Sequence, residues 1–196
     1  MNQLGFDMLL TQADQQNRDR VWERKAGHLP TDIDAGVDLY MTMIEQHHQA
    51  MMHGNFEQVL ALRDQARMLA QKLNDGEIGY LAEGAPGRVL EARTKAKDDT
   101  IPSWGQTGSF VIDVQGMRVR IELGGMFCID SRVSFWPGFA AHIVDEDKPF
   151  FSETGYRSFL GLQGQAAPGV TPDVYTALVI AQHIEEQGPR KRRRRC

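Results

Sequence analysis

The chain has 196 residues, 41% of them apolar and 24% charged, which fits one ordinary soluble domain or two small ones sharing a core. No run is long and apolar enough to span a bilayer, the first ten residues lack the pattern of a secretory leader, and two cysteines, Cys128 and Cys196, give no disulfide framework, so a cytoplasmic, reducing setting is expected. The net charge of −4 hides a segregation: Arg190, Lys191, Arg192, Arg193, Arg194 and Arg195 lie together, leaving 16 basic against 26 acidic residues before them, a net of −10.

In chain order, Phe6 to Arg24 has helical composition and a loose apolar stripe, ended by Gly27 and Pro30. Thr31 and Asp32 are capping candidates for a second helix from about Asp34 to His53. Its predicted inner face is Val37, Tyr40, Met41, Ile44, His48, Met51 and Met52. A third helix, Asn55 to Leu73, has Asn55 as cap and Gln58 at the capping-box position, with Phe56, Val59, Leu60, Leu69 and Leu73 as its apolar face. So short a connector predicts antiparallel packing of the second and third helices. Pro86 to Lys97 is compatible with one further short helix, and the stretch up to Gly108 is a connector.

The strongest local signal follows. Two period-2 runs, Ser109 to Val114 and Met117 to Leu123, flank Gln115-Gly116, which predicts a hairpin with a two-residue turn. In that register Phe110, Ile112 and Val114 face Ile121, Val119 and Met117 on one apolar side. Asp113 then lies opposite Arg118 on the solvent side, as an expected charge pair. Met126 to Asp130 is expected as a third strand behind Gly124-Gly125, Phe139 to Val144 as a fourth, and Tyr156 to Leu160 as a fifth. Thr171-Pro172-Asp173 starts a last helix, predicted to face the sheet with Val174, Leu178, Ala181 and Ile184 and to stop at Gly188-Pro189. The expected class is α+β: antiparallel helices over 1–98, then a four- to five-stranded antiparallel meander covered by a C-terminal helix over 99–188, then a disordered basic tail over 189–196.

Several side-chain sets invite chemistry. Asp130 with Asp145, Glu146 and Lys148 resembles the acid and acid-x-Lys arrangement of restriction-type nucleases, in which two carboxylates hold a divalent ion and a lysine assists the attacking water. Pro149 directly after Lys148 favours a solvated turn instead. His47 with Met51 and His48 with Met52 are i,i+4 pairs able in principle to grip a soft metal, beside His53, but such residues are ordinary helix-core filler and no metal is expected. The run Arg190, Lys191, Arg192, Arg193, Arg194 and Arg195 would bind phosphate by charge alone, making sequence-independent nucleic acid a candidate partner. Clustered acids on the body offer another route, imitation of DNA phosphates on a rival surface. Trp104, Trp136, Phe150, Phe151 and Tyr156, expected at turns and sheet edges, are candidate protein-binding aromatics. There is no phosphate loop, nucleophile elbow, CxxC, HExxH or paired Cys/His set, so no cofactor is expected.

The block from Ser131-Arg132-Val133-Ser134-Phe135-Trp136-Pro137-Gly138-Phe139 to Ser152-Glu153-Thr154-Gly155-Tyr156-Arg157-Ser158-Phe159 resembles uncharacterised accessory proteins of bacterial plasmids, phages and integrated elements. The resemblance implies a role in element maintenance or in countering host defence, and transfers no catalytic residue. The favoured expectation is a non-enzymatic protein that binds another protein. The alternative is a nucleic-acid-binding protein tethered by its basic tail, or a metal-dependent nuclease.

Overall fold

The computed structural model describes residues 3–128, 134–145, 154–160 and 168–192, with side chains between residues 10 and 186 of those ranges. Among the described residues five helices and four strands follow in the order α1 (Gln3–Ala26), α2 (Ile33–Met52), α3 (Phe56–Lys72), α4 (Pro86–Arg93), β1 (Gly108–Val114), β2 (Met117–Leu123), β3 (Phe139–Ile143), β4 (Tyr156–Phe159) and α5 (Pro172–Arg192). The strands form one antiparallel sheet in the order β1-β2-β3-β4, and α5 covers its apolar face.

The hairpin forms as its alternation requires. Phe110 pairs with Ile121, Ile112 with Val119 and Val114 with Met117, so the apolar side chains of both strands line one core. Gln115 and Gly116 both take positive φ, 55° and 78°, the twist a two-residue hairpin turn needs, and the Gly116 N–H donates to Asp113 Oδ1 at 2.9 Å. Asp113 does stand opposite Arg118, but the arginine's ion pair is made with Asp145 instead, because the end of β3 brings that carboxylate to the same side.

The predicted third strand is a correction. Residues 126–128 turn, Ile129 and Asp130 lie outside the described residues, and β2 pairs directly with β3, Ile121 opposite Ala141. Adjacent side chains of a strand point to opposite faces, whereas Met126 and Phe127 are both buried in the helical core, which only a turn permits. The Phe127 ring is stacked between Tyr40 and Tyr80, each at 5.5 Å.

Asp32 caps α2, its carboxylate accepting from the N–H groups of Asp34 and Ala35, and Asn55 caps α3 by accepting from Gln58 N–H at 3.1 Å. The buried faces are rotated from those predicted. On α2 they are Gly36, Tyr40, Met43, Ile44, His47, Ala50 and Met51, with Met41 exposed; on α3 they are Val59, Leu62, Arg63, Ala66, Arg67, Leu69 and Ala70, with Phe56 exposed. Small residues mark the close approaches, and hydropathy counts them too little. On α5 the inward side chains are Tyr175, Thr176, Val179 and Ile180, while Val174 and Leu178 face outward. Thr176 can be buried because its hydroxyl donates to the Pro172 carbonyl at 2.9 Å. The helix also runs past the expected stop at Gly188-Pro189 to Arg192; residues 193–196 lie outside the described residues.

Two cores result, and each borrows from the other half of the chain. Ala50, Met51 and Val59 of α2 and α3 belong to the core under the sheet, while Met126 and Phe127 belong to the core among the helices. Truncating Phe127→Ala is expected to remove roughly 3 kcal/mol, the usual cost of emptying a buried aromatic site, while helical ellipticity and tryptophan fluorescence still melt in one transition. A loss below about 1 kcal/mol, or two separated transitions, would contradict the interlocking.

Candidate functional site

The densest polar cluster lies where the two cores meet. The α3 stripe that buries Val59 and Leu62 also carries Arg63 inward, where the side chain is 1% exposed. A buried guanidinium is tolerated only when its N–H groups are used. Arg63 Nε–H donates to His47 Nε2 at 3.0 Å, and its terminal nitrogens donate to the carbonyls of Ser134 at 2.6 Å and Phe135 at 2.9 Å, with the Met51 sulfur at 4.0 Å. Because Nε2 accepts, the His47 proton sits on Nδ1 and is donated to the Trp104 carbonyl at 2.9 Å. Burial and the neighbouring Arg63 charge lower the His47 pKa to about 3, so the ring is neutral.

Trp104 completes the junction. Its backbone N–H donates to His48 Nδ1 at 3.1 Å and its indole N–H to the Val170 carbonyl at 2.8 Å, just before α5. The ring packs on Trp136 at 5.4 Å and Tyr175 at 5.6 Å. Gly105 follows with φ of 90°, and a Cβ there would stand 2.7 Å from His47 Nδ1, so glycine is what allows the connector to pass so close. Trp104 and Trp136 are therefore core residues, correcting the expectation of an exposed rim: turns can be buried when side chains satisfy their backbone. Tyr156 is 46% exposed on β4, its ring 4.9 Å from His142; Phe150 and Phe151 lie outside the described residues.

The His47 and Met51 pairing does place both side chains inward, but each His47 ring nitrogen is already engaged, which leaves no lone pair for a metal. Of the nuclease-like set only Asp145 is described; Asp130, Glu146 and Lys148 are not. Asp145 Oδ2 accepts from Arg118 N–H and Oδ1 from Arg118 Nε–H, both at 2.9 Å, and this contact raises the Arg118 pKa. A cation at Asp145 would have to displace or face that guanidinium. Among the described residues no three His, Cys, Asp or Glu side chains converge as a metal site requires. The basic run enters α5 with the backbone of Arg190, Lys191 and Arg192, and Arg193, Arg194 and Arg195 lie beyond the described residues.

A second buried charge holds the turn that replaces the predicted strand. Glu91 of α4 pairs with Arg88 at 3.0 Å and accepts from the Phe127 backbone N–H, while burial raises its pKa. Sequence inspection passes over Glu91 and Arg63 because charged residues are assigned to solvent by default. The available signal was positional: Arg63 falls in step with Val59, Leu62 and Ala66 on one helical face.

The folded pKa of His47 lies below the ordinary value near 6.5, so the unfolded chain binds a proton that the native chain does not as pH falls beneath that value. Stability should decrease on acidification between about pH 6.5 and 3, with this one group contributing a slope of about 1.4 kcal/mol per pH unit. Burial lowers the His48 and His183 pKa values in the same direction, so the His47 share is the difference between wild type and His47→Gln. Urea titrations at pH 7, 6 and 5 should show the shallower slope in the variant; equal slopes would contradict a buried neutral ring.

Residues 107–192 match the model of a family described as KlcB third domain, a span that takes in all four strands and α5. The chain is 41% identical over 93 residues to a Protein KlcB of Escherichia coli, covering 44% of this chain and 18% of that protein. It is 33% identical over 134 residues to another Protein KlcB of Escherichia coli, covering 66% of this chain and 32% of that protein. The chain thus spans about a third or less of the length of the curated relatives it matches, and no solved structure matches it. The segment similar to the KlcB third domain is the one that, in this chain, forms the sheet and its covering helix.

Proposed function

We propose that the chain is a non-enzymatic accessory protein of a bacterial mobile element that engages another protein through the solvent side of α5. The observation that carries this reading is the pair Val174 and Leu178, one helical turn apart and 46% and 55% exposed on a helix whose opposite face is fully used by Tyr175, Val179 and Ile180. Apolar side chains held on a rigid element make inexpensive anchors for a partner, since little order is lost on contact. The helix lies within the segment similar to KlcB. The block before it resembles accessory proteins of mobile elements, a resemblance that supports an accessory role in element maintenance or against host defence. The side chains best suited to chemistry are spent on structure: His47 on Trp104 and Arg63, Asp145 on Arg118.

The basic run supports a second reading. Six adjacent cations, the first three on the last turn of α5, suit phosphate contact by charge alone. A body of net charge −10 opposes that contact.

Charging the outward face tests the proposal. Val174→Asp/Leu178→Asp is expected to keep the melting temperature within about 2 °C, as surface changes do, and to weaken roughly tenfold or more the capture of the protein that immobilised wild type retains from a bacterial lysate. Unchanged capture would sink the reading. DNA binding that persists in the double variant, weakens steeply with salt and vanishes on deleting residues 189–196 would establish the second reading in its place.

A further inference from the structure

Over its described side chains, the long helix α1 meets the helical core through Trp22 and Ala26, with Glu23 paired to Lys72 at 4.0 Å. From Leu10 to Lys25 every side chain is exposed except Trp22, which packs with Met68 of α3 against the helical core. Beside that contact a groove of about 940 Å³ opens between α1 and the end of α3. Trp22 and Met68 line it, and its charged lining is Asp14, Asp19, Asp75 and Glu77 against Arg18 and Lys25. An indole surface ringed by an excess of carboxylates is suited to guanidinium groups, which stack on the ring and donate two hydrogen bonds to a carboxylate.

The chain itself carries such a ligand. Arg190, Lys191, Arg192, Arg193, Arg194 and Arg195 concentrate six positive charges beside a body of net −10. Tyr175, Val179 and Ile180 fix α5 on the sheet, and its helical backbone extends to Arg192. We propose that the groove between α1 and α3 receives the basic C-terminal run of a second copy of this chain. Each copy then offers one groove and one basic run, a head-to-tail contact separate from the outward face of α5.

Sedimentation of the full chain at about 50 mM and about 500 mM salt tests this, because a contact built on several charge pairs weakens steeply with ionic strength. Wild type should self-associate at low salt and bind roughly tenfold or more weakly at high salt. Deletion of residues 189–196 and the exposed quadruple variant Asp14→Asn/Asp19→Asn/Asp75→Asn/Glu77→Gln should each be monomeric. Mixed in equal amounts, these two should recover a 1:1 dimer, since one keeps the groove and the other the basic run. Wild type that stays monomeric at low salt up to about 0.5 mM, a dissociation constant weak even for transient contacts, would overturn the proposal. So would a quadruple variant that associates as tightly as wild type, or a mixture that stays monomeric.

Discussion

The contact on which the architecture depends is the bond from Arg63 to His47 and onward to the Trp104 carbonyl. It places a permanent cation and a neutral imidazole where the helical and sheet cores meet, using α3, α2, the connector and the segment before β3 at once. Buried charge is costly unless each donor is met, so this arrangement is satisfied in one geometry and heavily penalised in others. Apolar surfaces slide and rotate with small loss; this junction does not. It fixes how the helices sit on the sheet.

The same logic explains why the two halves exchange side chains. Phe127, emitted by the sheet half, fills a slot between Tyr40 and Tyr80, and Glu91 grips the turn that delivers it. In return α2 and α3 give Ala50, Met51 and Val59 to the core beneath the sheet. Trp104 ties the arrangement to α5 through Val170 and Tyr175. The outward side of α5 is therefore displayed on a braced support, so the contact proposed above would bear little cost of ordering. No helix among the described residues is long and apolar enough to cross a membrane.

Local pattern was readable where the physics is local. The hairpin follows from period-2 alternation and a turn that tolerates positive φ, and the caps of α2 and α3 follow from Asp32 and Asn55. What escaped the sequence was set by neighbours far along the chain. Met126-Phe127-Cys128 has strand-like composition, yet the helical core claims two adjacent side chains, and only a turn supplies both. Tyr175 and Thr176 outcompete Val174 and Leu178 for the interior of α5 because ring stacking on Trp136 and a hydroxyl bonded to its own helix offset their polarity. Of the candidate site, the periodicity of α2 pointed inward with His48, whereas the buried ring is His47, and Arg63 was missed altogether, since its partners are His47 and two distant carbonyls that no spacing rule links to it.

Native-state hydrogen exchange tests the claim that the buried junction makes one cooperative body of the two halves. Amides of Val119 and Ile121 in β2 and of Leu62 and Ala66 in α3 should exchange through a common opening, with free energies within about 1 kcal/mol and the same dependence on denaturant. Exchange of the strand amides through a smaller opening, while those of α3 remain protected, would contradict it.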